Sequence, residues 1–126
     1  MVQVQWFPER VVGKRGGYVG DFLDKSGRRY PELVAGVNSF LSKIVLMDAL
    51  DTLFATQQLA SLGQNLIEMR IPKRRQGGVA RVYFCWSPKG KNCAVLLAGE
   101  IKHRKAPEML GVAQARLREF QSGGMN

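Results

Sequence analysis

The chain is poor in the residues that staple or metallate a small protein. Its 126 residues include two cysteines and one histidine. Two cysteines cannot build a disulfide scaffold, and Cys85 and Cys93 are expected as free thiols in a reducing cytosol. The same shortage argues against a structural zinc site. Neither metal nor cofactor is expected. No apolar run is long enough to span a bilayer. The opening Met1-Val2-Gln3-Val4-Gln5-Trp6 lacks the basic and apolar regions of a signal peptide, so a cytoplasmic location is expected. Acid is the other shortage. Ten Asp and Glu stand against nineteen Lys and Arg, a net charge of +9 and a pI near 10.1.

That excess is unevenly placed. Residues 64–126 hold twelve Lys and Arg against four Asp and Glu, whereas residues 1–63 hold seven against six. A surplus confined to one half is an electrostatic footprint for a polyanion. A membrane-surface helix would need a basic face opposite an apolar one. Here the cations fall mostly on predicted strands and turns, so nucleic acid is the expected partner and a membrane is not. The length fits one domain, 1–126, with a core of its own.

Val2, Val4 and Trp6 alternate with glutamines, which predicts a half-buried strand that Pro8 ends. Glycine-rich Gly13–Gly20 predicts a loop, and Asp21–Asp24 a single helical turn. Pro31 opens a helix in which Leu33, Val37, Phe40, Leu41, Ile44 and Met47 recur at spacings of three and four. A second helix, capped by Asp51 or Thr52, would hold Phe54, Leu59 and Leu62 and end at Gly63. Strands are predicted at Leu66–Ile71, Val79–Ser87 and Cys93–Ile101, with a hairpin turn at Pro88–Lys91. Pro107 restarts a helix striped by Leu110, Ala113, Leu117 and Phe120, and Ser122–Gly124 reads as a frayed tail. The layout is α+β: a small antiparallel sheet with helices on one face, two of them N-terminal, and a short C-terminal helix.

Strand parity selects candidate site residues. Val82, Phe84 and Trp86 share one face; Arg81, Tyr83 and Cys85 share the other. Glu68 and Arg70 lie opposite Ile67, Met69 and Ile71. If the apolar faces meet the helices, Glu68, Arg70, Arg81 and Tyr83 share the opposite side. Arginine's planar fork suits phosphate oxygens, so Arg70 and Arg81 could clamp one phosphate. Equally, Arg70 could simply pair with Glu68. Tyr83 could stack on a splayed base or serve as packing. Trp6 and Trp86 read as core. Lys102, His103, Arg104 and Lys105 place cations ahead of a helix N-terminus, a position that suits an anion but also describes a solvated basic turn. His103 could take a proton from a ribose 2′-hydroxyl, or be an ordinary surface histidine. Lys73, Arg74 and Arg75 form a basic turn suited to salt-dependent contacts with an RNA backbone, or to plain solvation.

The ordered set of short motifs resembles the RelE/ParE superfamily of bacterial toxins, and most closely its phage-derived, HigB-like branch. Asp21-Phe22-Leu23 resembles the family's EFL segment, and Leu66-Ile67-Glu68-Met69-Arg70 its LYELR strand. Arg81-Val82-Tyr83-Phe84 resembles the RVLYF strand. Leu96-Leu97, followed by Lys102, Lys105 and Pro107, resembles the basic segment leading into the last helix. Ile101 stands where the first of two adjacent lysines is usual, and Leu110 where an acidic residue is common. The resemblance implies a RelE-like fold. It further implies a ribosome-dependent endoribonuclease, an mRNA interferase of a type II toxin–antitoxin system. Its partners would be mRNA on the ribosome, ribosomal RNA and a cognate antitoxin of helix-turn-helix type. The catalytic set would be Arg81, Lys102, Lys105 and Arg70, to which His103 is added on its own chemistry rather than on the family motif, with Lys73, Arg74, Arg75, Arg104 and Tyr83 contacting RNA. Two alternatives stay open: a gyrase poison resembling the ParE branch, and a non-catalytic RNA-binding module.

Overall fold

The computed structural model describes residues 2–11, 14–48, 50–72, 79–88, 93–102 and 109–123. Five strands make one sheet: β1 (Gln3–Trp6), β2 (Leu59–Ser61), β3 (Leu66–Pro72), β4 (Val79–Trp86) and β5 (Cys93–Lys102). Their order is β1-β5-β4-β3-β2. The described helices are α1 (Gly17–Ser26), α2 (Pro31–Val45), α3 (Asp51–Ala55) and α4 (Leu110–Gly123).

The period-two pattern sorts the strands into two apolar faces. Ile67 and Met69 of β3, Ala80, Val82 and Phe84 of β4, and Ala94 and Leu96 of β5 pack with residues of α1, α2 and α3. In α2, Pro31 occupies the first turn, and Leu33, Val37, Phe40, Leu41 and Ile44 are buried as the spacing predicts. Met47 lies past the helix end but packs against the same core. Burying each such side chain contributes roughly 1.5–3 kcal/mol of transfer free energy.

Four expectations are corrected. The sheet is mixed, because β1 runs parallel to β5 while the other neighbours are antiparallel. β1 reaches β5 only after the chain has passed through the helices, and parallel neighbours need such a long connection. The helices do not share one face. Ala113, Leu117 and Phe120 of α4 pack with Tyr83, Cys85, Val95, Leu97 and Phe7 on the second side. Gly17–Ser26 forms a ten-residue helix, α1, where a loop through Gly20 and a single turn at Asp21–Asp24 were expected. Gly17 makes its start possible: φ is +64°, and a Cβ there would lie 2.5 Å from the Phe7 carbonyl oxygen. Finally, the predicted second helix stops at Ala55. Gln57 takes a φ of 64°, which a helix cannot continue, and Leu59 enters edge strand β2 opposite Met69.

Candidate nucleic-acid interface

The charged candidates sit on the second face, where β3, β4 and β5 lie side by side. Arg70 is opposite Arg81, which is opposite Glu100. One row along, Glu68 is opposite Tyr83 and Tyr83 opposite Ala98; one row the other way, Val79 is opposite Lys102. Like charges directly opposite destabilise a sheet. Glu68 removes the conflict between the arginines. Arg70 Nε donates to Glu68 Oε1, and Arg81 Nη1 donates to Oε2 at 2.6 Å. Glu68 is 2% exposed. A lone carboxylate there would carry several kcal/mol of desolvation, and two guanidiniums offset it. The Arg70 side chain is 39% exposed and that of Arg81 16%. Arg81 Nε is buried and has no hydrogen-bond partner among the described residues.

A second diagonal runs the opposite way. The Tyr83 hydroxyl donates to Glu100 Oε2 at 2.8 Å, and the Met109 N–H, one residue ahead of α4, donates to the same oxygen at 3.2 Å. Burial, and then the Glu100 carboxylate, push the Tyr83 hydroxyl well above its ordinary pKa. The expectation that Tyr83 stacks on a base is corrected, because its ring is fully buried. Cys85 is likewise buried and its thiol is pushed up to about 12, chiefly by desolvation and then by nearby Cys93. Both cysteines are free thiols.

Lys102 reaches the site face through an irregularity. Cys85 pairs with Val95 and Phe84 with Leu96, but Tyr83 pairs with Ala98. Leu97 is the extra residue of a β-bulge, and it flips the parity of everything after it. Without it Glu100 and Lys102 would point at α1 and α2. With it they share the side of Arg81. Gly99 now faces α1, where a Cβ would come within 2.4 Å of the Phe22 ring, so only glycine fits.

The structure therefore brings Arg70, Arg81 and Lys102 together on one face with Glu68 and Glu100. The two carboxylates balance the two arginines, and Lys102 leaves the group one positive charge in surplus. Lys73, Arg74, Arg75, His103, Arg104 and Lys105 lie outside the described residues. Sequence reasoning passed over Glu100. Its signal was present: an acid inside an otherwise apolar strand. Simple alternation, however, assigns it to the wrong face. Among the described residues no group of three or more His, Cys, Asp or Glu is placed to hold a metal ion. None of the described helices is long and apolar enough to cross a membrane. No protein family, curated protein or solved structure matches this chain.

Proposed function

We propose that this protein is a RelE/HigB-like toxin that cleaves mRNA on the ribosome and is neutralised by a helix-turn-helix antitoxin. The observation that carries the reading is the convergence of Arg70, Arg81 and Lys102, from three adjacent strands, on one face. Glu68 pre-aligns the two guanidiniums, so little side-chain freedom remains to be lost when a phosphate arrives. Arg81 holds Glu68 through Nη1 and keeps 16% of its side chain exposed, and that exposed part is what a phosphate oxygen would meet. Lys102 adds a point charge beside it.

In the proposed cleavage the ribose 2′-hydroxyl gives its proton to a base, for which His103 is the candidate, its oxygen attacks the adjacent phosphorus and the bond to the 5′-oxygen breaks. The products are a 2′,3′-cyclic phosphate and, once that oxygen takes a proton, a 5′-hydroxyl. The ribosome holds the strand in line, a contribution of roughly 7–11 kcal/mol in well-oriented intramolecular reactions. Arg81 and Lys102 stabilise charge on the phosphoryl oxygens, by analogy with an oxyanion donor at ~3–4 kcal/mol. Tyr83 is unsuited to act as a base, since its proton is held by Glu100. The family resemblance gives Lys105 a further role, and His103 is the candidate base by its own chemistry.

One observation favours a second reading, a non-catalytic RNA-binding module: both arginines are already engaged by Glu68. Primer-extension mapping of cellular mRNA after induced expression decides between them. Discrete new 5′ ends inside coding sequences, lost in Arg81→Lys, are expected. Intact mRNA with arrested growth and DNA damage would instead point to a gyrase poison. Intact mRNA with neither effect leaves the binding module.

A further inference from the structure

The bulge at Leu97 decides which way Glu100 and Lys102 face, so whatever holds the bulge holds the site. The extra residue has no partner in β4. Its carbonyl oxygen instead accepts a hydrogen bond at 2.9 Å from Arg116 Nη1, on α4. Arg116 is itself fixed. Its guanidinium lies 3.7 Å from the centre of the Tyr18 ring on α1. The Tyr18 hydroxyl in turn donates to the Glu119 carboxylate at 3.4 Å, one turn along α4. Arg116 is thus threaded between an aromatic platform and the carbonyl of the bulged residue. Partial burial lowers its pKa below the ordinary guanidinium value, while Tyr18 and Glu119 act the other way.

We propose that Arg116 is a positioning residue: by holding the Leu97 carbonyl it locks the β5 bulge, and the bulge turns Glu100 and Lys102 toward Arg81. The proposal rests on the reading that this cationic face is the RNA site. Neither the spacing of Arg116 in α4 nor its charge would mark it, because a basic residue on a short helix is usually solvated. What distinguishes it is its acceptor. Loss of the bulge shifts β5 by one residue from Ala98 onward. Glu100 and Lys102 would then face α1, which has no room for them behind Gly99. Strand β5 beyond Leu97 would therefore loosen rather than slide cleanly.

The test uses the full chain with Arg116→Met, which keeps bulk without a donor, and Arg116→Lys, which keeps a donor. Cross-strand nuclear Overhauser contacts report the register directly. The native protein is expected to show the Tyr83–Ala98 and Arg81–Glu100 pairs. Arg116→Met should lose both, while amide exchange from Ala98 to Lys102 accelerates. Arg116→Lys should retain them. In a ribosome cleavage assay Arg116→Met should lower kcat about a hundred-fold with KM little changed, the scale of a misplaced reacting group. Retention of both pairs in folded Arg116→Met overturns the proposal, whatever the activity. So does loss of the pairs with undiminished cleavage. A native chain that cuts no RNA would remove the nuclease reading, yet the register contacts would still decide the role of Arg116.

Discussion

The second face of the sheet has two ends built from the same three strands. At one end Cys85, Val95 and Leu97 meet Ala113, Leu117 and Phe120 of α4, and the contact is apolar. At the other, Arg70 and Arg81 grip Glu68, and Glu100, opposite Arg81 in the register, accepts from Tyr83. The first end is held by contacts that gain from exclusion of water and need no particular angle. The second holds charge inside the protein and is sound only while each partner is present. Tyr83 stands at the boundary, its ring in the apolar cluster and its hydroxyl on Glu100. The bulge lies at the same boundary. The difference teaches that one platform can be packed with apolar side chains at one end and with paired charges at the other, with a single extra residue separating them.

The sharpest way to break the comparison is at the charged end. Arg81→Ala is expected to lower unfolding free energy by about 3–5 kcal/mol, because Glu68 loses a guanidinium in a buried site. Urea denaturation measures it. Replacing both members, Glu68→Met with Arg81→Met, should recover most of that stability while abolishing any RNA activity. A double variant no more stable than Arg81→Ala would show that the pair is not the source of the loss. At the apolar end, Leu117→Ala should lower stability by about 2–4 kcal/mol through transfer and cavity terms. It has no charged partner whose removal could rescue it. That asymmetry, rescue at one end only, is the comparison in measurable form.

The smallest effect is at the boundary. Tyr83→Phe removes one hydrogen bond to a carboxylate, worth about 1–3 kcal/mol. It should also change the alkaline limb. Tyr83's folded pKa is raised above its ordinary 10.0. The folded state therefore holds a proton that the unfolded chain releases. The stabilisation is complete below the ordinary value and is lost as pH rises from there toward the folded pKa. The native protein should destabilise more steeply than Tyr83→Phe above about pH 10. Equal slopes for the two proteins would contradict the buried pairing.

Much of the fold was legible because it is written in periodicity. The α2 stripe and the alternation in β3 and β4 each follow from local geometry, whereas the turns predicted between β3, β4 and β5 lie outside the described residues, Pro88 apart. The failures were of two kinds. Gly17 hid α1, since a glycine-rich run reads as a loop until Phe7 is seen packed against it. Leu59 continued a helical spacing but was claimed by pairing with Met69, a tertiary contact that outweighs local propensity. Arg70 and Arg81 were correctly placed on a shared face. Their engagement by one carboxylate was anticipated only for Arg70, because Glu68 lies two residues away along that strand, whereas its contact with Arg81 crosses to the neighbour.

By itself the sequence determined the composition of the two faces of β3 and β4, the basic bias of the second half, and the buried stripe of α2. Each depends on side chains a few residues apart, and chain geometry fixes those relations. Only the tertiary structure decided the side on which α4 packs, the parallel course of β1, and the face from which Lys102 projects. A bulge adds one residue to one strand and leaves no mark in alternation that an unbulged strand could not also carry. Its existence is settled by what receives the spare carbonyl, here an arginine nineteen residues further along the chain.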